Sequence, residues 1–137
     1  MKSAIILIGA LTLTASAAFA QTSTGTQTST PRTGDVSAGT YGSGTSTNGG
    51  TAVNGGATAE ALNGGTATTR SDAQVNERTA RQRSVATARD DDERARSRTS
   101  TRVTPTGDVR SRSMSIYKQR GEKPVITRDS SKAKAPR

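Results

Sequence analysis

Large apolar side chains are nearly missing from this chain. From Gln21 onward, Leu, Ile, Val and Phe occur ten times: Val36, Val53, Leu62, Val75, Val85, Val103, Val109, Ile116, Val125 and Ile126. That is about 9% of the residues in this part of the chain, against the roughly 20% below which a charged sequence is expected to stay unfolded. Ordering one residue's backbone costs about 1–2 kcal/mol. Fully burying a Val or Leu returns about 1.5–3 kcal/mol. Ten such side chains cannot offset the ordering of the whole chain. Cysteine is absent, so disulfides cannot compensate, and so is histidine, the common zinc ligand. The expectation is a mostly intrinsically disordered protein with no globular core, no cofactor and no metal site.

The first 20 residues have a separate logic. MKSAIILIGALTLTASAAFA sets one lysine before an apolar run from Ala4 to Leu13 and ends in Ala18-Phe19-Ala20. These are the parts of a secretory signal peptide, with cleavage expected between Ala20 and Gln21. The apolar run is about half the length a spanning helix needs, so no transmembrane segment is expected after cleavage. No cysteine follows the run and no twin arginine precedes it, which favours ordinary export without a lipid anchor. The periplasm or the extracellular space is the expected location.

The remainder divides into three segments. Residues 21–69 read as a disordered, low-complexity stretch of Thr, Ser, Gly, Ala and Asn. It carries N-G-G triplets at Asn48, Asn54 and Asn63, each a turn signal in what reads as a flexible linker. A short β-solenoid is the competing reading, weakened by irregular spacing and few inward-facing apolar residues.

Residues 70–103 read as an Arg-rich charged helix, solvent-exposed over about 72–99. Ser71 and Gln74 fit a capping box. Glu77 and Arg81, Asp90 and Arg94, and Asp92 and Arg96 stand at i,i+4 in the stabilising order. Val75 and Val85 do not share a face, so this helix would lack an apolar stripe and be held by ion pairs. The run Asp90-Asp91-Asp92-Glu93 lacks the alternation and the glycine of a calcium loop.

Residues 104–137 read as a basic disordered tail with a weak β-hairpin at about 113–128. TPTGDV from Thr104 echoes TPRTGDV from Thr30, each suiting a Pro-led turn followed by an extended residue.

Charge is unevenly spread. Residues 21–69 carry one base against two acids, whereas residues 70–137 carry 18 bases against nine acids. With neither His nor Cys, and no nucleophile elbow or phosphate loop in context, enzymatic activity is not expected. Fourteen arginines in the second part point to anionic partners, because the guanidinium fork suits phosphate and carboxylate. The candidate contacts are Arg81, Arg83, Arg94, Arg96, Arg98, Arg102, Arg110 and Arg112. Lipopolysaccharide, acidic polysaccharide and extracellular DNA are the expected partner classes. Specific nucleic-acid recognition is not expected, since stacking aromatics are missing. The expected protein is a monomeric, non-enzymatic associate of anionic envelope or extracellular polymers. The alternative is a structural spacer or matrix component with no specific ligand.

Overall fold

The computed structural model describes residues 21–30, 34–47 and 50–136. The signal peptide assigned to residues 1–20 lies outside the described residues. The described chain is all β: eight antiparallel strands in two sheets, with no helix. β1 (Thr22–Ser29), β2 (Val36–Thr47) and β3 (Gly50–Ala61) form one sheet in that order. β4 (Thr66–Val75), β5 (Ala80–Arg89), β6 (Glu93–Val103), β7 (Val109–Gln119) and β8 (Val125–Ala133) form the other. Each strand pairs with its neighbour in sequence, and the meander changes sheet once, between β3 and β4. The sheets stack face to face, with β2 over β5 and β6, and β1 over β7 and β8.

The expectation of disorder is overturned, and the reason lies in what fills the interior. Of the ten large apolar residues, three are fully buried: Val36, Val103 and Val109. Apart from Tyr117 and Gln82, the rest of the core is small. It includes Ala38, Ala86, Ala88 and Ala95 with Thr40, Ser84, Ser97, Thr99, Thr101 and Ser111. Sheets with such inner faces come close together: Cα atoms of β2 and β6 lie within 8 Å. Facing sheets usually stand about 10 Å apart. Close approach buries backbone as well as side chains, so stabilisation does not require bulky apolar groups.

Two glycines mark how tight this is. A Cβ on Gly42 would stand 2.6 Å from Gln82 Oε1 and 2.7 Å from Thr101 Oγ1. One on Gly44 would stand 2.9 Å from Val109 Cγ1.

Buried hydroxyls need partners, and across this interior most have them. Thr40 Oγ1 shares hydrogen bonds with Ser97 Oγ at 2.8 Å and Thr99 Oγ1 at 2.7 Å. Thr26 Oγ1 does so with Ser111 Oγ at 2.7 Å. Ser97 Oγ also lies in donating range of the Thr28 carbonyl, and Ser115 Oγ of the Ser29 carbonyl. Gln82 is buried over Gly42 and Gly55, with its Nε2 donating to Ser84 Oγ. Thr28 Oγ1, Gln82 Oε1 and Ser113 Oγ have no partner among the described residues.

The specific expectations change accordingly. Residues 72–99 contain no helix; they belong to β4, β5, β6 and the turns that join them. The acids assigned to i,i+4 pairs stand in turns instead. Asp90 Oδ1 accepts from the Asp92 and Glu93 amides in the β5–β6 turn. Residues 21–69, expected as a disordered linker, supply the whole three-stranded sheet. The hairpin expected to be weak is part of a five-stranded sheet, with β7 and β8 in register from Val109↔Ala133 to Tyr117↔Val125.

The N-G-G triplets differ from one another. Asn63 and Gly64 both take positive φ, 52° and 82°, and Gly65 N donates to Leu62 O in the β3–β4 turn. Asn54 lies within β3, opposite Ser43, and Asn48 is outside the described residues. The repeated TGDV ends both times in a buried valine opening a strand, Val36 of β2 and Val109 of β7.

Candidate functional site

Three strands of the five-stranded sheet, β5, β6 and β7, alternate between buried, mostly small residues and outward residues that are mostly long cations. In β6, Glu93–Val103 reads ERARSRTSTRV: Ala95, Ser97, Thr99, Thr101 and Val103 are buried, while Arg94, Arg96, Arg98 and Arg102 are exposed. β5 repeats the pattern, with Ala80, Gln82, Ser84, Ala86 and Ala88 inward and Arg81, Arg83 and Arg89 outward. In β7, Arg110, Arg112 and Lys118 point outward between buried Val109, Ser111, Ser113, Ser115 and Tyr117. Side chains two apart on a strand share a face, so each strand presents one row of cations.

Strand register sets these rows side by side. Arg81 stands opposite Arg102, Arg102 opposite Arg110, and Arg110 opposite Lys132. At the other end of the face, Arg89 stands opposite Arg94 and Arg94 opposite Lys118. Between them Arg98 stands opposite Met114, and Met114 opposite Arg128. All eight arginines singled out from the sequence therefore lie on one face of one sheet. Arg89, Lys118, Arg128 and Lys132 join them, and so does Arg70 of β4, opposite Val85. This makes thirteen cations on a lattice of about 4.8 Å between strands and about 6.8 Å along them.

Acids are kept off the same face. The one carboxylate that the register points outward here is Asp72, ion-paired at 2.9 Å with Arg70, which raises the Arg70 pKa, first through that hydrogen bond and then through the charge. Glu77, Asp90, Asp91, Asp92, Asp108 and Glu122 lie in the turns between strands. Several of them have structural partners. Glu93 Oε2 accepts from Asp35 N at 2.8 Å and its Oε1 from Tyr117 Oη at 2.8 Å, tying the two sheets together. Asp108 Oδ1 accepts from Ala135 N.

The face is not wholly polar. Ile116 stands opposite Ile126, next to Met114 along the strand. Met114 and Ile116 are half-buried, whereas Ile126 is 46% exposed.

The outer face of the three-stranded sheet is different in kind. Along β2 it shows Ser37, Gly39, Tyr41, Ser43 and Thr45, and its single acid is Glu60 on β3. The Tyr41 ring lies against Gly56, where a Cβ would approach to 2.6 Å of Cε1. An aromatic ring covering a strand glycine is a packing device.

Sequence reasoning missed the five further cations and the order in which all of them assemble. The signal that could have found them is the alternation itself, read at period two with Ser, Ala and Thr as the inward set. No group of three or more metal-ligating side chains occurs among the described residues, and none of them forms a helix long and apolar enough to cross a membrane. Compared with protein families, curated proteins and solved structures, the chain matches none.

Proposed function

We propose that this protein is a non-enzymatic binder of polyanions, and that the outer face of the five-stranded sheet is its contact surface. The observation carrying this reading is the in-register stacking of like charges, Arg81↔Arg102↔Arg110↔Lys132 and Arg89↔Arg94↔Lys118. Like charges directly opposite one another on a sheet destabilise it. Folding alone gives no reason for such rows, because any polar residue would keep the face solvated. An anionic polymer laid across them removes the repulsion and converts it into binding energy.

Residues 1–20, read as an export signal, support partners outside the cytoplasm: lipopolysaccharide, acidic polysaccharide or extracellular DNA. Attraction through such a lattice is Coulombic and driven by counterion release. If six of the cations meet phosphates, affinity for duplex DNA falls about 10³-fold between 50 and 200 mM salt, whatever the base sequence. Arginine does not titrate in this range, and the chain has no histidine, so affinity for a strong polyanion such as heparin should be nearly flat from pH 5 to 8. Titration of the folded protein with heparin and with duplex DNA at the two salt concentrations tests this. Failure to bind either, or binding indifferent to salt, would overturn the reading.

A further inference from the structure

The cationic face is not uniform, and one part of it is shaped. Between β6, β7 and β8 lies a cleft of about 540 Å³ whose lining includes Arg98, Arg112, Arg128, Met114, Ser100 and Ser130. Register explains the arrangement. Arg98, Met114 and Arg128 form one row across the three strands, and Ser100, Arg112 and Ser130 form the next. The three guanidiniums thus surround the methionine from both flanking strands and from its own, with a serine on either side of Arg112. Asp129, which by register belongs to the opposite side of β8, across from buried Ser113, also lines the cleft at its edge, so three guanidiniums and one carboxylate leave the cleft a net charge of +2. No hydrogen bond or ion pair engages Arg98, Arg112 or Arg128 among the described residues.

Resting on the reading of this face as an anion-binding surface, we propose that the cleft is a discrete subsite for a terminal phosphomonoester. The ligand class follows from counting charges and oxygens. Three guanidiniums in one cleft supply three planar donor forks. A phosphomonoester carries about −1.5 to −2 charge at pH 7 and presents three terminal acceptor oxygens, one for each fork. A phosphodiester has two free oxygens and a single charge, and so has a carboxylate. Met114 supplies an apolar floor for the carbon skeleton bearing the phosphate, and Ser100 and Ser130 can bond its hydroxyls. A phosphorylated sugar, free or as the terminal group of a glycolipid, has this chemistry.

Two charge-matched triple variants separate the subsite from the face around it. One is Arg98→Gln, Arg112→Gln and Arg128→Gln. The other is Arg81→Gln, Arg89→Gln and Arg94→Gln, which takes the same charge from elsewhere on the face. All six side chains point outward, so far-UV circular dichroism should match the parent in both. The titrants are glucose 1-phosphate, dimethyl phosphate and heparin, followed calorimetrically at 150 mM salt. Vesicles with and without a phosphorylated glycolipid headgroup distinguish a free sugar phosphate from a lipid-borne one.

The expected result is saturable one-to-one binding of glucose 1-phosphate, at least tenfold tighter than dimethyl phosphate. The first variant should lose it and the second keep it within threefold, while both weaken heparin binding alike. Affinity for glucose 1-phosphate should also rise between pH 5 and 7.5, as the phosphate sheds its second proton near pH 6. Equal affinity for monoester and diester, or equal loss in both variants, would overturn the subsite and leave the polyanion face standing. Monoester binding without any heparin binding would leave the subsite and overturn the face. Absence of both would remove both.

Discussion

The two sheets of this protein share one interior and differ in their exteriors. Inward, both present Ala, Ser, Thr and Val, with Gly on the three-stranded sheet alone, and hydroxyls from one sheet bond to hydroxyls of the other, as Thr40 does with Ser97 and Thr99. Outward, β1–β3 show short neutral side chains around Tyr41, whereas β5–β8 show rows of arginine and lysine. A neutral exterior evidently suffices for a sheet in this sandwich. The cationic exterior is therefore not a requirement of folding, and stacking Arg81, Arg102 and Arg110 in register works against it. The interior explains why the chain folds, and the contrast between exteriors is what the proposed polyanion binding rests on.

The shared interior is tested most strongly by enlarging a side chain within it. Gly42→Leu places a branched side chain where even a Cβ would stand 2.6 Å from Gln82 Oε1. Loss of about 3 kcal/mol or more, or failure to fold, is expected. Thr58→Leu on the exposed outer side of β3 should change stability by less than about 0.5 kcal/mol. Thermal melts of the two variants check the pair, and equal effects would mean the sheets do not meet as described.

A smaller effect is expected from Thr40→Val, which keeps the shape and removes the hydroxyl shared with Ser97 and Thr99. Leaving those partners short of a hydrogen bond costs about 1–3 kcal/mol, read from urea denaturation. Smaller again is Tyr117→Phe, about 1 kcal/mol through loss of its bond to Glu93. A double-mutant cycle with Glu93→Gln should show the two residues to be coupled.

The smallest stability change has the opposite sign. Arg102 stands between Arg81 and Arg110, so Arg102→Glu replaces two repulsive cross-strand pairs with attractive ones. Stability should rise by about 0.2–1 kcal/mol at low salt while heparin affinity drops severalfold. A variant that is both less stable and unchanged in binding would contradict the contrast between the exteriors.

How much of this was legible in the sequence depends on the residue. The eight candidate arginines were legible as cations, and the turn at Asn63-Gly64 as a turn. The fold was not, because the inventory of core residues counted only Leu, Ile, Val and Phe. Seven of those ten side chains are not among the fully buried residues, and Leu62, Val75, Val125 and Ile126 are exposed. The interior is instead carried by residues such as Ser97 and Ala86, which composition alone assigns to linkers. Their meaning lies in spacing: ARSRTSTR alternates at period two, and that pattern persists through β5, β6 and β7. The acids misled for a related reason. Asp90 and Arg94 fit a helix at i,i+4, but Asp90 caps the β5–β6 turn while Arg94 begins the outward row of β6.

The most direct test follows backbone amides by NMR while heparin is added to the folded protein. Perturbations should concentrate on β5 to β8, strongest at the outward positions from Arg81 to Arg112, and should reverse when salt is raised. Residues 22–29 and 36–47 should stay near their starting positions. Perturbations spread evenly over both sheets, or centred on Tyr41 and its neighbours, would contradict the assignment of binding to the arginine face.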